Sequence, residues 1–311
     1  MSKTTLPARR NACNTIGGVL LGYAAIMFIA TTATMLFTTG LDRIVSSLGG
    51  SPSRSKDLLS QVIDGSGPGY ILSSLLMVLV IRLWKGQGYL PRSMQKRGRM
   101  SLPLFLAIVS VFMSVQAITT LLFNYTESIL NHWGLTSDFA QTQASGQTSS
   151  VSMFLYVGIF APVVEELMFR GAIFDTLQPF GKRFAMVSSA LLFGLFHGNL
   201  IQIPFAFLVG LILSYVRVNY GLLWCIVLHF INNCIFAELL ASYGNLSNIL
   251  LAACVVGALI TLTIRGNHLR HTLKAIPSTE RGAYRDLLAN PLTIILLGYC
   301  LLSTLATIVL L

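Results

Sequence analysis

The sequence predicts an all-α fold, a polytopic transmembrane helical bundle of about nine helices, and three observations carry that prediction. Hydrophobic residues fill 54% of the 311 positions and charged residues only 10%, against roughly 25% charged in a soluble globular chain. Long uncharged stretches recur along the whole length, which fits repeated crossings and not a single anchor. The basic residues give a net charge of +10, but they gather between the apolar stretches as topology signals do. That placement argues against nucleic acid as a partner.

The apolar segments fall at about 15–38, 69–84, 102–123, 151–177, 183–199, 201–218, 220–240, 246–264 and 291–311. Each is close to the ~20 residues that span a bilayer core, allowing for tilt. Helices are the spanning choice, because strands of a barrel are shorter and alternate in polarity. The first run follows Lys3, Arg9 and Arg10 and continues to about Thr39. It is too long for a signal-peptide core and lacks a small-residue cleavage site, so it reads as a retained helix. The cysteines Cys13, Cys225, Cys234, Cys254 and Cys300 form no CxxC and mostly lie inside apolar segments, which is the pattern of small apolar residues in helices.

The connections give an independent check. Arg92, Lys96, Arg97 and Arg99 lie between segments two and three, and Lys182 and Arg183 follow segment four. Arg217 ends segment six, and Arg265, Arg270, Lys274, Arg281 and Arg285 follow segment eight. With a cytoplasmic N-terminus all of these fall on the cytoplasmic side, and nine crossings leave Leu311 outside. The loop at 124–150, with no Lys or Arg, falls outside. So does the Ser- and Gly-rich loop at 40–68, which mixes Arg43, Arg54 and Lys56 with Asp42, Asp57 and Asp64 and has room for a short interfacial helix near 57–63. No internal repeat is visible. The expected organisation is an N-terminal part over 1–150 with three transmembrane helices, a core over 151–240, and a C-terminal part over 241–311 with two helices and a basic loop.

Charge inside a bilayer costs a few kcal/mol per group even on the lenient insertion scale, so each such residue needs a reason. Segment four holds Glu165, Glu166 and Arg170. Glu166 and Arg170 are spaced i, i+4 and share a helix face, which suits an ion pair. Glu165 is rotated by about 100° from its neighbour and needs another partner. Phe193 and His197 close segment five, and His229 and Asn233, again i, i+4, lie in segment seven. Each piece has a plainer explanation: a membrane histidine or asparagine is often a helix–helix hydrogen-bonding group, and a Glu–Arg pair is often structural. His132, His268 and His271 read as surface residues in loops, and Asp175 and Glu238, near segment ends, as interfacial residues without a role. Three polar sites on segments four, five and seven nevertheless favour one buried cluster over unrelated accidents. A carboxylate and a histidine together can polarise a water for attack on a peptide carbonyl, while a second histidine and an asparagine amide can donate to the resulting oxyanion. Arg170, by neutralising Glu166, would spare Glu165 like-charge repulsion.

Glu165-Glu166-xxx-Arg170, Phe193-xxx-His197 and His229-xxx-Asn233, in this order and each in an apolar helix, resemble the motifs of the CPBP family, which comprises the type II CAAX prenyl endopeptidases and the bacteriocin-processing and immunity proteins. The stretch from Gly210 to Asn233, with Tyr220-Gly221-Leu222-Leu223-Trp224, is similar as well, so the resemblance covers about 151–240. It implies an intramembrane endopeptidase in which Glu165 and His197 activate the water and His229 and Asn233 line the oxyanion side, with Glu166, Arg170 and Phe193 in support. The expected substrate is a peptide or lipidated peptide in contact with membrane lipid. The expected location is a bacterial plasma membrane, where bacteriocin or pheromone precursors suit better than prenylated proteins.

No cofactor is expected. HExxH is absent, and none of these helices carries two zinc ligands at i, i+4, although Glu165, His197 and His229 would suffice in number for zinc. Two other classes remain open: an ion-coupled transporter, which buried Glu, Arg and His also mark but which usually shows an internal repeat, and a non-catalytic immunity or scaffold protein. One tension stands within the reading. The segment boundaries put His197 near the outer face and Glu165 toward the inner half of its segment. A break at Pro162 or Pro204, a tilt, or a misplaced loop at 178–183 would reconcile them.

Overall fold

A computed structural model describes residues 5–47, 66–137, 150–239, 243–276 and 281–310. Nine long helices follow one another in these residues: α1 Thr5–Ser47, α2 Gly67–Lys85, α3 Leu102–His132, α4 Val151–Phe180, α5 Lys182–Phe196, α6 Gln202–Asn219, α7 from Leu222 through a π-helical stretch Ile231–Leu239, α8 Gly244–Ala275 and α9 Pro291–Leu305. Six of them are long and apolar enough to cross a membrane, and α7 and α9 are shorter apolar helices. The chain is an integral membrane protein with a polytopic helical bundle. Its one β-pairing among the described residues joins Leu135–Thr136 to Val309–Leu310, antiparallel.

Boundaries differ from the sequence reading where apolarity ends before the helix does. α3 runs nine residues past Phe123 to His132, and α8 continues to Ala275. His132, His268 and His271 are exposed as expected, but they lie on helices instead of loops. The expected short helix at 57–63 lies outside the described residues.

Packing is centred on α4, which is the most deeply enclosed of the six membrane-length helices; Phe169, Ala172, Ile173, Phe174 and Leu177 have no exposed surface. The side chains of α1 and α8 point largely outward, as lipid-facing helices require. Polar clamps fix the ends. Arg9, buried, donates through Nε to Asp286 Oδ2 at 2.8 Å, tying α1 to the short helix Ala283–Leu288. Asn290 donates to Asn14 at 2.7 Å.

α4 is not a uniform helix. It widens into π turns at Tyr156–Phe160 and Leu167–Ile173 on either side of Ala161–Glu166. Pro162 supplies a cause for the first: it lacks an N–H and crowds the carbonyl four residues back, so a wider turn relieves the strain without stopping the helix. Pro204 falls in the first turn of α6, where proline is tolerated, and breaks nothing.

The expected separation in depth between Glu165 and His197 shrinks to about one helical turn. α5 has only 15 residues, about 22 Å at 1.5 Å per residue, which is short of a ~30 Å hydrocarbon core. It therefore ends at the level of the site, where the chain reverses at Gly198 with φ +55°. Ser189 Oγ donates to the Phe169 carbonyl at 2.7 Å and fixes the α4–α5 register. From that contact Glu165 lies four residues further along and His197 eight, a difference of about one turn. The loop at 178–183 is a tight turn through Gly181, φ +125°.

Candidate active site

The sequence placed Glu166 and Arg170 on one helix face, and the structure joins them: Arg170 Nη1 donates to Glu166 Oε1 at 2.8 Å, with both side chains fully buried. The same Oε1 accepts a second bond, from His229 Nδ1 at 3.0 Å. Because a carboxylate only accepts, Nδ1 carries the proton and Nε2 is left to face away. What it faces is Glu165, whose Oε2 lies 3.7 Å from His229 Nε2. One imidazole from α7 thus bridges the two neighbouring acids of α4, and His229 is the partner that Glu165 needed. At 3.7 Å the contact is electrostatic, too long for a direct hydrogen bond.

The two glutamates differ in access. Glu166 is sealed, whereas 18% of the Glu165 side chain is exposed. His197 is also partly accessible. Its Nδ1 meets the Phe193 carbonyl at 2.8 Å, so that nitrogen donates and Nε2 is the basic one. Nothing among the described residues bonds Nε2, and Glu165 is among the charges acting on this ring.

Phe193 organises the middle. The Arg170 guanidinium lies 4.1 Å from its ring centre, a cation–π contact. The two histidine rings stand nearly perpendicular to it at 4.8 Å for His197 and 5.7 Å for His229. Gly210 on α6 leaves room for the guanidinium, since a Cβ there would lie 2.9 Å from Arg170 Nη2. Asn233 sits apart from the glutamate pair. Its Nδ2 donates to the Val157 carbonyl at 3.0 Å, and its Oδ1 accepts from Asn232 at 2.8 Å. Val157 lies in the first π turn, where carbonyls lose their regular helical partner; in the second, the carbonyls of Phe169 and Arg170 accept from Ser189 and from Arg217 Nε. Side chains from α5, α6 and α7 therefore fill the acceptors that the irregular α4 exposes.

A second polar cluster was missed. Arg217, read from sequence as a topology marker, is buried, and its Nη2 contacts Asp175 at 2.9 and 3.0 Å. Tyr89 donates to Asp175 at 2.9 Å, and Lys85 to Thr176 at 2.9 Å. Burial, reinforced by the Asp175 charge, pushes the Tyr89 phenol far above its usual range. Burial and, next, the like charge of Arg217 lower the Arg97 guanidinium. The available signal was the pair of opposite charges at the matching ends of segments four and six.

Two histidines and a carboxylate in contact resemble a metal donor set, but among the described residues no three His, Cys, Asp or Glu side chains converge as ligands. His229 reaches Glu166 with one nitrogen and Glu165 with the other, which splits the donors between opposite edges of the ring.

Fold and site define a helical membrane protein with a buried, partly accessible acid–histidine centre. Residues 147–235 match the family model described as type II CAAX prenyl endopeptidase Rce1-like. The chain is also 28% identical over 126 residues to the UPF0177 protein YxdF of Lactococcus lactis subsp. lactis (strain IL1403), a match covering 40% of this chain and 68% of that protein. No solved structure matches.

Proposed function

We propose that this chain is an intramembrane endopeptidase that hydrolyses a peptide bond with water activated by Glu165 and His197. The observation that carries the reading is the contrast between the sealed Glu166–Arg170 pair and the accessible Glu165 beside it, 3.7 Å from a histidine whose other nitrogen is tied down. In this reading Glu165 and His197 Nε2 hold a water between them, and Glu165 takes its proton as the oxygen attacks the carbonyl carbon. The proton then passes to the leaving nitrogen as the C–N bond breaks. His229 Nε2, when protonated, and the remaining N–H of Asn233 face the developing oxyanion. Glu166 and Arg170 fix the imidazole of His229, and Phe193 holds both histidine rings. The segment 151–240 performs the chemistry, while 1–150 and 241–311 enclose it.

No metal takes part in this scheme. The substrate class is an apolar or lipidated peptide entering from the bilayer, in keeping with the CAAX-type family. A bacterial plasma membrane, with bacteriocin or pheromone precursors as substrates and a cytoplasmic N-terminus, suits the basic loops.

The test is cleavage by the purified chain in liposomes, offered a farnesylated peptide ending in Cys-aliphatic-aliphatic-X and a library of apolar peptides, with and without excess chelator. Cleavage that survives chelation and disappears in His197→Ala supports the reading. Activity lost to chelator and restored by zinc would make Glu165, His197 and His229 ligands. Intact peptides with ion flux across the liposomes would mark a carrier.

A further inference from the structure

Asn233 has one Nδ2 proton committed to the Val157 carbonyl and one left for an oxyanion, so a further neutral donor beside it would strengthen the site. Three tyrosines outside the motif residues lie on helices around the site: Tyr23 on α1, Tyr70 on α2 and Tyr156 on α4. Tyr70 and Tyr156 are stacked, with ring centres 4.7 Å apart and planes within 16°. Tyr23 stacks on Phe196, the neighbour of His197, at 5.6 Å and 6°. The helices that bring them together are in close contact, since a Cβ on Gly69 of α2 would lie 2.6 Å from Thr31 Cα on α1.

The donors of these tyrosines can be counted. Ser73 and Ser74 both give their hydroxyl protons to the Tyr70 carbonyl, at 2.8 and 2.9 Å. Tyr23 is 2% exposed, so its hydroxyl has little access to a substrate. Tyr156 differs on each count. It is partly accessible, no described residue hydrogen-bonds its hydroxyl, and Glu165, Tyr23 and Tyr70 all act on it electrostatically. It also directly precedes Val157, whose carbonyl is anchored by Asn233. A phenol held by a ring stack on one side and an anchored backbone on the other is a preorganised donor.

We propose that the Tyr156 hydroxyl donates a hydrogen bond to the scissile carbonyl oxygen as it becomes an oxyanion, which makes Tyr156 a catalytic residue; the proposal rests on the peptidase reading above. The step balances as ordinary hydrolysis. The water oxygen bonds to carbon, its proton goes to Glu165, and the carbonyl π pair moves onto oxygen. Collapse expels the amine, which takes the proton back from Glu165. Tyr156 keeps its proton throughout. Asn233, besides the N–H it keeps for the oxyanion, holds through Val157 the π turn that carries Tyr156.

Tyr156→Phe keeps the ring on Tyr70 and removes only the oxygen. The experiment compares wild type and Tyr156→Phe, full length in liposomes, with the peptide that wild type cleaves best and with its phosphinic analogue, whose tetrahedral P–O⁻ replaces the scissile carbonyl. Thermal unfolding of both proteins serves as the folding control. The proposal expects kcat to fall about 100-fold, KM to stay within about twofold, and phosphinate inhibition to weaken by a factor similar to the kcat loss. A kcat within about threefold of wild type, a loss confined to KM, or a kcat loss with unchanged phosphinate inhibition overturns it. If wild type shows no cleavage that depends on Glu165, the peptidase reading falls and this proposal falls with it, a result distinct from Tyr156→Phe remaining active.

Discussion

Glu165 and Glu166 are adjacent in sequence yet stand in opposite situations, one open to the cleft and one sealed against Arg170 and His229. Glu166→Gln removes the countercharge of a fully buried guanidinium. Losing one partner of such a pair costs about 3–5 kcal/mol, so the variant should fold poorly, with a lower unfolding temperature and low yield. Glu165→Gln should fold normally and be inactive; the reverse pattern would show that the two roles are exchanged. Gly210→Ala tests the space around Arg170, because the added carbon would sit 2.9 Å from Nη2 and 3.0 Å from Ala190 Cβ. Overpacking of this kind costs about 1–3 kcal/mol, and an unchanged unfolding temperature would show that the guanidinium is free to move. The Glu166–Arg170 pair was legible because helical spacing is a local rule. The bond from His229 to Glu166 was not, because it joins residues 63 apart and depends on how α7 packs on α4. Tyr156 gave no signal at all: a tyrosine in an apolar helix is ordinary, and only the stack on Tyr70 sets it apart.

Helix α4 shows how an irregular element can be useful. Its π turns turn out the carbonyls of Val157, Phe169 and Arg170, and side chains from three other helices donate hydrogen bonds to them. Pro162 announced an irregularity in the sequence, but proline alone does not distinguish a break from a widened turn. The stop of α5 at Phe196 was likewise hidden, because residues 197–201 of the turn are flanked by apolar residues on both sides and hydropathy does not register a reversal within an apolar run. Asp175 and Arg217 illustrate the opposite error: charges at helix ends look interfacial until packing buries one of them. Asp175→Asn leaves Arg217, 2% exposed at its side chain, facing a neutral partner. The expected result is destabilisation by about 3 kcal/mol, seen as a lower unfolding temperature in detergent, with wild-type kcat per folded molecule. An unaltered melt would show that the Arg217–Asp175 ion pair and the bond from Tyr89 to Asp175 carry no weight.

Across the bundle, nine apolar segments and the nine long helices of the described residues correspond in order, because burial in lipid demands helices and apolar residues together. Composition was sufficient for that level of description. Orientation rests on the basic residues at 92–99 and 265–285, against the Lys- and Arg-free stretch at 124–150. Cysteines introduced at 92–99 should resist a membrane-impermeant thiol reagent in intact cells and react after lysis. Labelling from outside would invert the topology. Enclosure of the site by α1, α2 and α9 also explains why a family match confined to 147–235 does not describe the full cleft: Tyr23 and Tyr70 lie outside it. The most direct measurement is a single-turnover assay in liposomes with equal amounts of folded wild type and Glu165→Gln, following peptide cleavage by mass spectrometry. The account predicts one new carboxyl and one new amine terminus from wild type and a loss of about 1,000-fold or more in the variant. Cleavage by Glu165→Gln at a rate near that of wild type would contradict it.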